Sequence, residues 1–167
     1  VHLGLVLSEA SAFAEAEATL ERAYFRAVAA GAPLVAADAA TALISITGAK
    51  LGRQPDGLRW ARHAEATLAA LGEPETGIYR LDALAARSHL QMNTSEFAAA
   101  QSGLERALAG QLELLGPGHS TLASTYFNLG EVQYMLGHWP GCRALYEQAL
   151  ASAEFSVGAA PPTYATF

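Results

Sequence analysis

The chain has 167 residues, 51% hydrophobic and 16% charged, enough apolar material for one domain with a buried core and too much for a disordered segment. Sixteen acidic against ten basic side chains give a formal net charge of −6, which argues against nucleic acid or an anionic membrane surface as partner, since both need a basic field. A single cysteine excludes an internal disulfide and points to a cytoplasmic setting.

The opening stretch Val1 to Leu7 is apolar but has neither a basic n-region nor a small-residue cleavage site. It reads as half of a helical hairpin, over 1–10, cut from a longer protein. The weakly charged stretch from Ala27 to Ala49 is mostly Ala and contains Gly31 and Pro33, a poor composition for a membrane-spanning helix. Glycine and proline then mark the boundaries: Gly31 to Pro33, Gly52 to Pro55, Gly72 to Pro74, Gly116 to Gly118 and Gly137 to Pro140. Proline suits a first helical turn and glycine the position just past a last one. Helices are therefore predicted over 12–30, 34–51, 55–71, 75–93, 96–115, 119–136 and 139–156. Gly158 to Tyr164 stands 42 residues after Gly116 to Leu122 in the same register, so another hairpin is expected to begin there.

Ala23 recurs as Ala64, Ala107 and Ala149, at separations of 41, 43 and 42. Its neighbours recur with it. Phe13, Gln54, Phe97 and Trp139 form one column; Ala16, Gly57, Ala100 and Cys142 a second; Leu20, Ala61, Leu104 and Tyr146 a third. Steps of 3, 4 and 3 between these sites place them on one face of one helix, with a turn column of Ser11, Gly52, Ser95 and Gly137 just upstream. The expected fold is all-α, an α-solenoid of stacked antiparallel hairpins with repeats of about 42 residues. The division is a single domain 1–167, with a partial repeat 1–31, repeats 32–73, 74–116 and 117–158, and the start of a further repeat at 159–167. Apolar terminal hairpins without caps predict self-association or fraying.

Two units break the pattern. Where three others carry Leu3-Gly4, Ile44-Ser45 and Leu129-Gly130, the third unit carries Arg87-Ser88, and its apolar stripe is displaced by about one residue. The second unit's later helix, with Gln54, Gly57 and Ala61, is so small on its packing face that a close backbone approach or a local shift is expected.

Converging nucleophiles, acids or bases do not stand out, so no catalytic residue is assigned. Cys142 falls in a small-residue packing column. His119 and His138 lie in turns, and no spacing of His, Cys and carboxylates suggests a metal. The loop from Gly116 to Ser120 lacks the Gly-Lys-Ser/Thr ending of a phosphate loop. No cofactor is expected. Lys50, Arg53, Arg59, Arg62 and His63 form the one concentrated basic patch, either a solvated face or a dock for an acidic segment.

Asn128-Leu129-Gly130, followed by Gly137-His138-Trp139 and then Cys142, Tyr146, Ala149 and Leu150, resembles the tetratricopeptide repeat. That repeat has a Leu-Gly pair in its first helix, a Gly-x-aromatic turn, and small, large and Ala positions in its second. The standard unit spans about 34 residues, and these are longer by roughly two helical turns. Long units joined by Gly-Pro-x-His look like the kinesin light chain variety, which also occurs in bacterial signalling proteins. The resemblance implies a concave groove lined by the first helices. Leu5, Ser8 and Glu9 would lie there, then Ala42, Ile46, Ala49 and Lys50, then Ala85, His89, Met92 and Asn93, then Phe127, Asn128, Glu131, Tyr134 and Met135. Of the asparagines that hold peptide backbone in that variety only Asn128 is present, with Leu43 and Ala86 at the equivalent sites.

The expected function is a non-catalytic scaffold for a protein or peptide, bound nearest Asn128, Glu131 and Tyr134, in a fragment of a larger bacterial multidomain protein. The alternative is a regulatory or sensory segment of a Ser/Thr kinase or transcriptional regulator, although no His-Arg-Asp or Asp-Phe-Gly element occurs in the chain. The bland reading of Phe127, Met92 and Tyr134 is that they fill core between hairpins.

Overall fold

Alanine-rich segments bounded by Gly and Pro become seven helices in the computed structural model, which describes residues 12–72, 74 and 77–158, the last five by their backbone alone. They are α1 (Phe13–Ala29), α2 (Pro33–Leu43) continued by a π-helical turn (Ile44–Lys50), α3 (Gln54–Ala70), α4 (Ile78–Asn93), α5 (Phe97–Leu115), α6 (Thr121–Met135) and α7 (Trp139–Gly158). Each end lies within three residues of its predicted place. The expected helix over 1–10 and the hairpin opening at 159 fall outside the described residues. The architecture is an all-α helical repeat solenoid, with α2 and α3, α4 and α5, and α6 and α7 packed as pairs.

The repeat columns become packing positions. Ala16, Gly57, Ala100 and Cys142 are all buried, as are Ala64, Ala107 and Ala149. Small side chains there let the helices of a hairpin approach closely. The turn column is a left-handed backbone position, with φ of 69° at Gly52, 64° at Ser95 and 77° at Gly137. Glycine reaches that conformation without a Cβ penalty. Ser95 bears the strain.

The hairpins are joined by shared apolar clusters. Trp60 on α3 packs against three of them, one built around Tyr24, Ala36 and Leu68, one around Leu20, Leu43 and Ile46, and one around Ile44, Ala61 and Leu90. A polar thread also crosses the stack. Thr125 on α6 donates to Gln111 Oε1 on α5 at 2.8 Å, and Gln111 Nε2 donates to Asp82 Oδ1 on α4 at 2.8 Å. Gln111 is buried, so its amide needs both partners.

Both irregular units have local solutions. The helix expected over 34–51 widens from Ile44 into a π turn, where the Leu51 N–H donates to the Ile46 carbonyl at 3.0 Å. This turn sets Gly48 directly against Gly57, with the Leu90 side chain over both. In the third unit Ser88, not Arg87, faces into the hairpin. It is fully buried, returns its hydroxyl to the Leu84 carbonyl at 2.8 Å, and occupies space that a Cβ on Gly103 would need. Arg87 is left half-exposed and pairs with Glu65 on the preceding hairpin at 2.7 Å.

Candidate functional site

The first helices of three successive hairpins place Lys50, His89 and Glu131 near one another. Lys50 ends the π turn, His89 lies in the last turn but one of α4, and Glu131 sits on α6. Burial and the Lys50 charge both push the His89 imidazole below its ordinary value, so it is neutral at physiological pH. Burial pushes the Glu131 carboxyl up, and Lys50 pulls it back down. One exposed ammonium thus acts on both groups across the stack. One helical turn beyond Glu131, Tyr134 is 50% exposed and stands edge-on to Trp139, with ring centroids 4.9 Å apart. Met135 is exposed beside it. Together these residues offer a cation, an anion, a neutral donor and acceptor, and an aromatic and thioether surface on one stretch of the solenoid.

Other residues expected on this face are placed differently. Met92 is only 7% exposed and packs with Leu129 and Val132 between hairpins, because the third unit's stripe turns it inward. Ile46 is likewise core, against Leu20 and Leu43. Ala42, Ala49 and Ala85 are half-buried and Asn93 is exposed, while Leu5, Ser8 and Glu9 lie outside the described residues. Phe127 and Asn128 line a different cleft, between α6 and α7. There Phe127 lies over Tyr146 at 5.4 Å, with Ala149 and Leu150 beyond. Ala85 and Leu108, the repeat equivalents of Phe127 and Leu150, are covered by the hairpin that follows them, packing on Leu129, Val132, Leu122 and Tyr126. Phe127 and Leu150 are 49% and 64% exposed. Their chemistry is that of a stacking face.

The basic patch is divided. Arg53 pairs with Glu17 and with Asp56, the latter at 3.7 Å, and Arg59 pairs with Asp56 at 2.7 Å. His63 Nδ1 shares a 3.2 Å hydrogen bond with the Tyr24 hydroxyl and sits in a ring cluster with Trp60. Arg62 turns to another surface, a cleft of about 560 Å³ shared with Glu65, Arg80, Arg87 and Arg106. Sequence reasoning missed this cluster. Arg80 and Arg87, seven apart, share a face of α4, but nothing in the sequence shows that α3 and α5 each turn an arginine toward it.

Cys142 is buried one helical turn before Tyr146, whose phenol is held above its ordinary value by burial first and by Cys142 second. Among the described residues no group of three or more His, Cys, Asp or Glu side chains is placed to hold a metal ion, and no helix is long and apolar enough to cross a membrane.

Residues 79–154 match the family model described as tetratricopeptide repeat. Among solved structures, the crystal structure of BtubC (BKLC) from P. vanneervenii has a TM-score of 0.69 and 21% identity, covering 91% of this chain and 60% of that one. Such a likeness concerns the fold. No curated protein matches the chain.

Proposed function

Residues 79–154 belong to the tetratricopeptide-repeat family, and from that premise we propose that the chain is a non-catalytic scaffold holding an extended segment of a partner protein along the face of Lys50, His89, Glu131 and Tyr134. Such repeats in general mediate protein–protein interaction. The observation that carries the reading is the exposed Tyr134, edge-on to Trp139 at 4.9 Å on the last hairpin's first helix, with an exposed Lys50 on the first helix of an earlier hairpin whose charge bears on His89 and Glu131 between them.

The chemistry suits a peptide backbone. A neutral imidazole donates through one nitrogen and accepts through the other, Glu131 accepts from peptide N–H groups, and Lys50 donates to carbonyl oxygens. Tyr134 and Met135 add adaptable apolar contact. Fixed opposite charges set the register of the bound segment, while main-chain hydrogen bonds and the aromatic contact supply affinity. The long-repeat resemblance supports a bacterial signalling protein of several domains as the parent, and the single cysteine supports a cytoplasmic setting.

The test is a displayed library of random twelve-residue peptides selected on the chain, with the enriched sequences then titrated calorimetrically against Glu131→Ala/Tyr134→Ala. Loss of about 1–4 kcal/mol of affinity in a variant with an unchanged melting curve supports the groove, that being the usual range for anchor residues. Unchanged affinity moves the site elsewhere.

A further inference from the structure

Four of the chain's ten basic side chains meet at one place although the protein as a whole is acidic. The cleft described above lies between α3 and α5, over α4. Arg62, Arg80, Arg87 and Arg106 line it, and Glu65 is the one carboxylate among its lining residues. Ala66, Leu68, Ala69, Ala83 and Leu84 give it an apolar floor. It is a separate surface from the groove. From Arg80 to His89 is nine residues, about two and a half helical turns, so the two project from opposite sides of α4.

We infer that this cleft is a second binding site, for an acidic peptide segment of a partner protein whose carboxylates engage the arginines while a small apolar side chain meets the floor. Charge complementarity carries the inference. Glu65 occupies Arg87 Nη1 at 2.7 Å, yet Arg87 Nε is buried without an acceptor among the described residues, so the internal pair does not saturate that guanidinium. Arg80 and Arg106 have interactions of their own within the chain. A guanidinium carries five donors in a fixed fork, so the contact to Glu65 leaves Arg87 donors over, and the exposed Arg62 presents its own fork for a bidentate carboxylate. Guanidinium is also more weakly hydrated than ammonium, which lowers the cost of desolvating it against a ligand. Glu65 acts as an internal competitor: it holds one end of the Arg87 guanidinium, and its charge opposes an incoming carboxylate, so the site favours segments with more than one carboxylate to engage the other arginines.

The experiment uses the whole chain and a fluorescein-labelled twelve-residue peptide of Glu and Asp interspersed with Leu and Ala, followed by anisotropy. Saturable binding is expected, weakening as salt rises. It should weaken about ten-fold or more with Arg62→Gln/Arg106→Gln, both exposed positions. Glu65→Gln should strengthen it, a gain that misfolding cannot imitate. Glu131→Ala/Tyr134→Ala should leave it unchanged, which separates this site from the groove. Absence of saturable binding, equal affinity for the arginine variant, equal binding of the Gln/Asn version of the peptide, or preference for a single-stranded oligonucleotide of the same charge would each overturn the proposal.

Discussion

The Gly57 backbone stands so close to Gly48 that a Cβ placed on it would lie 2.7 Å from the Gly48 Cα and 2.8 Å from Leu90 Cδ2. That approach is where the π turn ends up, and Lys50 follows two residues later at the groove. Gly57→Ala must therefore push backbone against backbone. A loss of about 1–3 kcal/mol is expected, more than the helix propensity it gains. Gly141→Ala is the matched control, since its nearest neighbour is Gln133 Oε1 at 3.5 Å, and it should gain up to about 1 kcal/mol. Urea melts of the two variants should shift in opposite directions.

Ser95 holds a φ of 64° where its two described column mates are glycines. Ser95→Gly removes a left-handed Cβ strain of about 1–2 kcal/mol, partly offset by the greater freedom of glycine in the unfolded chain. The melting temperature should rise. A fall would mean that the serine side chain contributes something the turn geometry does not show.

The thread from Thr125 through Gln111 to Asp82 gives a pH-dependent expectation. Burial raises the Asp82 carboxyl, Gln111 lowers it by donating to it, and Asp38 raises it again. A carboxyl raised on folding binds its proton more tightly in the native state. Its contribution to stability is then fully present below the unfolded value and is lost as pH rises through the folded one. Asp82→Asn keeps an acceptor for Gln111 without the charge, so at pH 7 it should be neutral or stabilising. That advantage should shrink at lower pH. Gln111→Ala should cost about 1–3 kcal/mol, because both its partners lose their hydrogen bonds. Equilibrium unfolding at several pH values checks both.

Ala107 is fully buried in the column that recurs through every unit. Ala107→Leu should overpack the interface and cost about 1–3 kcal/mol. An unchanged midpoint and slope in denaturant would contradict the repeat register.

Helix boundaries and the solenoid fold were legible because they rest on short-range signals: Gly and Pro at hairpin ends, and small residues recurring every 41 to 43 positions. The face of a residue was legible only where the units agree. Met92 sits in a unit whose stripe is turned, with Ser88 inward at Gly103, so repeat alignment alone put it in the groove when it is core. Phe127 was misread for another reason, since its repeat equivalent Ala85 is too small to reveal that the position faces the next hairpin. The arginine cleft depends on three helices converging, a property that no single helical period encodes.

The most direct measurement places a photoreactive benzoylphenylalanine at Tyr134 in the groove and, in a second protein, at Phe25, which is 62% exposed on α1. Each is irradiated with peptides enriched on the wild-type chain, and the adducts are mapped by mass spectrometry. Adducts are expected at 134, competed by unlabelled peptide, and none at 25. Equal labelling at both positions, or labelling at 25 alone, would contradict a bound segment on the face of Lys50, His89 and Glu131.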